Sequence, residues 1–253
     1  MRLSLLDDPC IEVRYLNGRL EKLTLPGVLA NLGKNDIEAF THLRPHQRHP
    51  WHAFLCQMSA LALSDAQKEL PGGNSRKPYS QLPGLYDESE WRDMLWTLAP
   101  RVEAWCLVVE DASKPAFMQP PIPDGIEALK SIKRTPDDLD VIVTSKNFDE
   151  KTSRITTYEP DHWIYALVSL QGQAAFGGAW NYGGIRQYSG YGTRPSVGII
   201  PSLHWGDQWG RDCRMLLDTL DTIASESEIP WDIETGHRLL WLLPWDGRES
   251  VSP

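Results

Sequence analysis

The sequence predicts an α+β fold in which mixed strands and helices form one large irregular domain with long loops. Short apolar segments of strand type, joined by a hairpin turn, occupy the first 25 residues. Amphipathic helical segments separated by proline- and glycine-rich passages follow them. Because 253 residues are enough to bury a sizeable core, we expect residues 1–253 to form a single domain.

The N-terminal strands are predicted from apolar segments on either side of a turn signal. Leu16–Arg19 contains the dipeptide Asn-Gly, which strongly indicates a tight hairpin. Three later apolar segments also have strand character. The predicted strands are Leu3–Leu6, Ile11–Tyr15, Leu20–Leu25, Leu139–Val143, Ser196–Ile200 and Leu239–Leu243.

Several longer segments place their apolar residues on one helical face. The clearest follows Pro50, and a capping-box pattern at Asp87 and Glu90 marks the start of another. Asn35–Arg44 is polar and stays ambiguous, and Trp205–Gly210 is predicted to be a turn-rich loop. The predicted helices are Pro26–Leu32 with Gly33 as the closing residue, Pro50–Gln67, Asp87–Ala99, Gly125–Ile132, Glu159–Gln171 and Asp212–Ala224.

Composition restricts the classes of function. A net charge of −9 and a pI near 5.3 argue against a surface that coats nucleic acid broadly. The four cysteines are far apart and form no CxxC pair, which favours free thiols in a reducing compartment. With no apolar run long enough to cross a membrane, we expect no membrane partner and a cytoplasmic protein.

One stretch departs from this acidic background. Gly172–Gly198 holds eight glycines, five aromatic residues and two arginines, Arg186 and Arg194. The surrounding window from His162 to Gly206 spans 45 residues without an Asp or Glu. Glycines allow a backbone to approach a ligand closely, and a carboxylate-free surface with arginines suits phosphate.

Two interpretations of this glycine-rich tract stay open. The first is a set of tight turns between strands, with the aromatic residues in the core. The second is a binding surface for bases or sugars. The tract contains neither GxGxxG after a strand nor GxxxxGK[ST], so a dinucleotide site and a P-loop are disfavoured.

A basic segment, Arg44–His52, precedes the helix predicted at Pro50. Its histidines at 46, 49 and 52 suggest a metal site, but Pro45 and Pro50 break the helix that would align them. No carboxylate lies within the segment. We therefore expect it to contact a phosphate or a partner rather than a metal ion.

Taken in order, several motifs resemble one known family, the large subunit of the type I-E Cascade CRISPR surveillance complex (the CasA family). The opening SLLDDPCIEVRYLNGRLEKLTL is similar to that family's start, and Pro115–Gln119 matches its proline-flanked FMQ. The loop around Lys146–Phe148 resembles its first long loop. The helix HWIYALVSLQ leads into a glycine-rich tract, and LLWLLPWDGRES resembles a strand and turn of long members.

The resemblance implies a non-catalytic subunit of a crRNA-guided complex that recognises the protospacer-adjacent motif in double-stranded target DNA. Its implied partners are crRNA, the other Cascade subunits and the helicase–nuclease that it helps to recruit. The family's DNA-contacting glycine loop corresponds to Gly183, Gly184 and Ile185, followed by Arg186, with Arg194 as a further candidate. Its docking loop for crRNA and neighbouring subunits corresponds to Lys146, Asn147, Phe148 and Asp149.

The sequence departs from the family in two places. Some members carry a zinc-binding cysteine pair before the helix into the glycine-rich tract, whereas this chain has Glu159–His162 there without cysteine. We therefore predict no zinc, and we expect the protein to hold no metal ion and no cofactor. The family's C-terminal helical bundle and the lysine and glutamine wedge that opens the duplex have no counterpart in residues 1–253. We therefore expect residues 1–253 to correspond to the family's N-terminal domain, either as a fragment of a longer protein or as a shortened variant.

Two other classes of function remain. The aromatic content and turn-rich loops are compatible with a β-rich module that binds carbohydrate or another small ligand. A hydrolase could be assembled from His162, His204 or His237 with Asp207 or Asp246, but the sequence has no GxSxG, no HExxH and no cysteine in a nucleophile context. We therefore expect no enzyme activity.

Overall fold

A computed structural model of the protein describes most of the first half of the chain and the helices of the second half. The described residues are 2–66, 86–128, 132–140, 156–173, 200, 202–226 and 238–244. For residues 128, 173 and 220–226 the description is limited to the backbone. The predicted strand at Ser196–Ile200 lies almost wholly outside these residues.

Five α-helices and five short strands make up the main regular elements of the described residues, so the predicted α+β fold class is confirmed. The strands are β1 (Leu3–Ser4), β2 (Ile11–Tyr15), β3 (Leu20–Leu23), β4 (Ile37–Phe40) and β5 (Cys106–Val108). The helices are α1 (Leu25–Gly33), α2 (Arg48–Asp65), α3 (Glu88–Leu98), α4 (Pro160–Gln173) and α5 (Trp205–Glu226). Short 3-10 turns cover Pro45–Gln47, Glu103–Trp105, Ile126–Ala128, Pro136–Asp138 and Leu240–Leu242.

The predicted hairpin forms an antiparallel sheet with a third strand, in the order β3–β2–β4. Gly18 lies in its turn with a φ of +83°, a conformation that favours glycine. β3 is shorter than predicted because Thr24 caps α1, where its hydroxyl accepts the Gly27 amide at 2.9 Å. β4 resolves the ambiguity of Asn35–Arg44, and β1 pairs with β5 in a separate two-stranded sheet.

The central helix of the fold is α2, which packs against α3, α4 and α5. Its Trp51 stacks on Phe54 and meets Phe40 of β4 edge-on. Tyr165 of α4 also meets Trp51 edge-on. Phe40 in turn meets Trp205 of α5, with ring centroids 4.8 Å apart. One aromatic cluster therefore joins the three-stranded sheet to three helices.

Five of the described tryptophans contribute to the core of this fold. Each is at most 2% exposed: Trp51, Trp91, Trp105, Trp205 and Trp209. Their burial in the core accounts for part of the heavy use of tryptophan in this chain.

Among the described helices, none has the length and apolar character that crossing a bilayer requires.

The prediction of a turn-rich loop at Trp205–Gly210 is wrong, because this segment is the first part of α5. Gly206 lies where α5 passes close to the end of α1. A methyl group at Gly206 would lie against the Leu32 carbonyl oxygen and 2.8 Å from the Asn35 Cα. The glycine is required for close packing of two segments, not for a turn.

Three other predicted elements differ from the structure. The predicted strand at Leu239–Leu243 contains a 3-10 turn, and Trp241 within it meets Phe117 edge-on. The helix predicted at Gly125–Ile132 is a 3-10 turn over its described part. Leu139 and Asp140 follow another 3-10 turn rather than beginning a strand, and the rest of that predicted strand lies outside the described residues.

The close approach at Gly206 predicts a large effect of one methyl group. Gly206→Ala should lower the free energy of unfolding by about 1–3 kcal/mol, because backbone atoms of Leu32 and Asn35 cannot give way as a flexible side chain can. Gly172→Ala is the matched control, since its methyl would meet only the Pro50 Cβ at 3.3 Å. Urea unfolding of both variants measures the difference, and equal stabilities would contradict the packing described here.

Candidate nucleic-acid interface

The residues predicted to contact nucleic acid lie outside the described part of the chain. The glycine-loop residues Gly183, Gly184, Ile185, Arg186 and Arg194 fall in 174–199. The docking-loop residues Lys146, Asn147, Phe148 and Asp149 fall in 141–155. The structure does describe residues that precede and follow both segments in the chain.

Helix α4 separates the two predicted contact segments along the chain. Segment 141–155 precedes the helix, and segment 174–199 follows it directly. Ile164, Tyr165 and Val168 are at most 3% exposed, so α4 is held firmly within the core. The helix has 14 residues, a length of about 21 Å at 1.5 Å per residue.

The start of α4 is fixed by Asp161, a carboxylate whose side chain is only 1% exposed. It accepts the Glu12 backbone amide of β2 at 3.1 Å and lies 3.0 Å from His42 Nδ1. His162 stacks on His42 with ring centroids 4.5 Å apart, and its Nδ1 accepts the Glu159 amide at 3.0 Å. Asp161 thus links the sheet, His42 and the beginning of the helix.

The last described residue before segment 141–155 is also a buried carboxylate. Asp140 is hydrogen-bonded to His46 Nε2 at 2.8 Å and accepts a hydrogen bond from the Gln47 side-chain amide at 2.6 Å. Arg44 extends this network, since its guanidinium lies 2.8 Å from Asp137 and 3.8 Å from Asp140. The predicted docking loop therefore begins at a point that is tied to the segment ahead of α2.

These contacts change the interpretation of the basic segment Arg44–His52. Arg44 and His46 pair with carboxylates of the same chain, and the Arg48 guanidinium lies 4.3 Å from the Trp205 ring centroid. The cleft lined by His42, Arg44, Asp140 and their neighbours has no room for a water molecule. These cationic side chains of the segment therefore stabilise the fold, and the structure does not support the predicted contact of this segment with a phosphate.

The C-terminal end of α4 is braced by the FMQ segment. Ala116 and Gln119 exchange backbone hydrogen bonds of 2.9 Å around Met118, whose φ is +57°. The Gln119 side chain donates to the Leu107 carbonyl at 3.0 Å, and Gln171 of α4 donates to the Met118 carbonyl at 3.2 Å. This turn therefore contacts α4 at Gln171, directly before the glycine-rich tract that begins at Gly172.

In the chain, the glycine-rich tract is followed by the beginning of α5. Asp207 accepts hydrogen bonds from Asn35 at 3.0 Å and from the Ser202 hydroxyl at 2.7 Å. It therefore stabilises the start of the helix instead of pairing with His204, as a hydrolase would require. His237 and Asp246 lie outside the described residues.

A cluster that the sequence did not predict lies between α2 and α5. His52 Nε2 is 2.8 Å from Asp212 Oδ2 and 3.5 Å from Cys56 Sγ. Burial opposes a charged His52, but its interactions with Cys56 and Asp212 raise its pKa above the ordinary value. Hydrogen bonding from Cys213, and then from His52, lowers the pKa of the Cys56 thiol despite burial.

This cluster differs from a Cys–His–Asp catalytic triad. In a triad the nucleophile and the carboxylate contact opposite nitrogens of the imidazole ring. Here Cys56 and Asp212 both approach Nε2 of His52. The spacing of His52 and Cys56, four residues apart on a predicted helix, could have indicated two of the three residues, but nothing in the sequence brings Asp212 to them.

The three histidines of the basic segment have different surroundings. His46 contacts Asp140, His52 contacts Asp212 and His49 is exposed.

Comparisons of this chain with known protein families, with curated proteins and with solved structures find no match. Its functional interpretation therefore rests on its own residues and on the order of its motifs.

The His42–Asp161–His162 cluster predicts a specific dependence of stability on pH. Burial, with a smaller contribution from His42, lowers the pKa of His162 below its ordinary 6.5, although Asp161 opposes the shift. The unfolded chain then binds the proton more readily than the native one. The stability contributed by neutral His162 should be complete above pH 6.5 and decline below it, down to the lowered pKa.

Removing this histidine should flatten that decline. His162→Gln should lose less stability than the parent protein between about pH 7 and about pH 5. Urea unfolding at a series of pH values provides the measurement, and His49→Gln controls for the loss of an exposed histidine. If His162→Gln and His49→Gln change the pH dependence alike, the assignment to the buried cluster is wrong.

Proposed function

We propose that this chain is a non-catalytic large subunit of a type I-E-like, crRNA-guided CRISPR effector complex in the cytoplasm. It recognises the protospacer-adjacent motif in double-stranded target DNA and helps to recruit the helicase–nuclease. Its partners are crRNA and the other subunits of the complex. The order of motifs that resembles the CasA family supports this proposal, together with the charge pattern of the chain.

The observation that carries the proposal is the acid-free window that runs from α4 to the start of α5 and contains the glycine-rich tract. The window from His162 to Gly206 carries two positive charges in a chain whose net charge is −9. Both helices that border it are packed on α2. A carboxylate-free, glycine-rich segment bordered by fixed helices is suited to approaching a polyanion closely.

The physics of the minor groove favours glycine at the point of contact. The groove is narrow, and its hydrogen-bonding pattern is degenerate, so a backbone without side chains can reach base edges where a larger residue would collide. In a guided complex, base pairing with the guide reads most of the sequence, and the protein reads only a short motif. An acidic subunit with a small carboxylate-free contact is therefore compatible with DNA recognition.

The scaffold also accounts for two separate contacts in one subunit. The docking segment 141–155 and the DNA segment 174–199 border opposite ends of α4, which is about 21 Å long. Asp140 and Asp161 anchor the first segment, and the FMQ turn braces the helix before the second. A subunit that contacts crRNA and neighbouring proteins at one place and target DNA at another needs such a division.

The carbohydrate-binding alternative is less well supported. The described residues contain only short strands, and Trp205 and Trp209, which would have supplied stacking surfaces on a loop, are buried in α5. The cleft beside His42 has no room for a ligand. The proposal of a subunit that binds nucleic acid is therefore preferred.

A single added carboxylate should separate DNA recognition from assembly. Gly184→Asp should weaken motif-dependent binding of the reconstituted complex roughly 10-fold or more, because it adds a side chain and a negative charge where the backbone approaches DNA. Asn17→Asp is the control, since it adds the same charge at an exposed position of the N-terminal hairpin turn, where Asp can still accept the Arg19 amide. Mobility shifts with duplexes carrying a permitted or a scrambled flanking motif measure the effect.

Substitutions in the docking loop test assembly of the complex rather than binding of DNA. Asn147→Ala combined with Phe148→Ala should reduce the amount of this chain that co-purifies with the complex, whereas Gly184→Asp should leave that amount unchanged. If complexes with Gly184→Asp and with Asn17→Asp bind permitted duplex equally well, the glycine-loop assignment fails. If the complex shows full motif-dependent binding without this chain, the proposed function itself fails.

A further inference from the structure

We propose that His52, Cys56 and Asp212 form a transition-metal site, best suited to Zn²⁺, that ties α2 to α5. None of the three residues belongs to either predicted contact segment. It is also distinct from Glu159–His162, where the family resemblance places the cysteines that this chain lacks. The inference does not depend on the proposed function, because it rests on contacts between two described helices.

The three donor atoms converge on one point. The imidazole nitrogen, the thiol sulfur and a carboxylate oxygen all lie within 4.8 Å of one another. Around a tetrahedral zinc ion with bonds of about 2.0–2.3 Å, donor atoms lie about 3.3–3.7 Å apart. The separation of 3.5 Å between His52 Nε2 and Cys56 Sγ already has this value. The contact of 2.8 Å between Nε2 and Asp212 Oδ2 would need to open by about 0.5–0.9 Å to reach this range.

The convergence on a single ring nitrogen favours a metal ion over nucleophilic catalysis. His52 Nε2 faces both Cys56 and Asp212, whereas His52 Nδ1 is buried and has no hydrogen-bond partner. Proton relay from a thiol to a carboxylate would use both nitrogens. An ion placed between the three donors would instead use Nε2 alone.

The donor set has the chemistry of a zinc site. Thiolate and imidazole ligands select zinc over magnesium or calcium, and a carboxylate completes the set. The thiolate and the carboxylate together balance the charge of a divalent ion. The spacing of His52 and Cys56, four residues apart, places both on one face of α2, and Asp212 approaches them from α5.

The surroundings orient the ligands and leave a route for the ion. Arg211 contacts Oδ1 of Asp212 at 2.6 Å, which leaves Oδ2 directed towards His52. Such supporting contacts fix the orientation of ligating carboxylates. Cys56 is buried, whereas the Asp212 side chain is 28% exposed. An ion can therefore enter from the Asp212 side and keep a water molecule as its fourth ligand.

Cobalt titration of the full chain tests the site. The protein is stripped with EDTA and titrated with Co²⁺, which takes tetrahedral zinc sites and gives a thiolate-to-cobalt charge-transfer band. We expect one ion per chain with that band, displacement by Zn²⁺, and a higher melting temperature with Zn²⁺ than with EDTA. Cys56→Ser should abolish the band, whereas Cys10→Ser, which replaces another buried cysteine outside the cluster, should keep it.

Each result decides the question. Absence of the band in the parent protein at saturating Co²⁺, or its persistence in Cys56→Ser, would overturn the proposal. If Cys56→Ser does not fold, Asp212→Asn replaces it, because its side chain is partly exposed. This variant should bind Co²⁺ at least ~10-fold more weakly. Unchanged affinity of Asp212→Asn would also overturn the site.

Discussion

Aromatic rings packed around Trp51 hold the three-stranded sheet and three helices together. Trp51 is fully buried in α2 and contacts Phe54, Phe40 of β4 and Tyr165 of α4. Phe54 extends the cluster to Phe117 of the FMQ segment, with centroids 5.7 Å apart. Large aromatic side chains bury much apolar surface and adopt defined edge-on geometries. One cluster can therefore position several elements whose individual strands are only two to five residues long.

Buried carboxylates provide the second set of constraints. Asp140 and Asp161 are each about 1% exposed, and each is bound by a histidine together with an amide donor. Removing one partner from such a buried pair typically costs roughly 3–5 kcal/mol, because the remaining charge has no compensation. Arg44 and His46, which lie just before α2, are therefore paired with carboxylates of the same chain. They explain why a basic segment in an acidic protein serves the fold, and why the acid-free tract is the better candidate for contact with a polyanion.

The sequence predicted those elements whose signals are local. The capping box at Asp87 and Glu90, the hairpin turn and the amphipathic face of α2 all appear in the structure. Where the structure differs from these predictions, the difference arises from a contact between residues that are far apart in the sequence. The glycine at 206 suggested a turn, but it permits α5 to pass the end of α1. The cluster of His52, Cys56 and Asp212 depends on helices 160 residues apart in the chain, and the partners of Asp140 and Asp161 are similarly remote. The glycine loop, by contrast, was proposed from composition and resemblance, and it lies outside the described residues.

Hydrogen–deuterium exchange of the assembled complex can report whether the glycine-rich tract of this chain contacts the flanking motif of target DNA, because it follows the backbone amides themselves. We expect the amides of Gly183–Arg186 to exchange more slowly on a duplex with a permitted motif than on one with a scrambled motif. The amides of α2 should exchange alike on both duplexes, since that helix belongs to the core. If the tract exchanges equally on the two duplexes in a complex that still discriminates between them, the tract does not contact the motif.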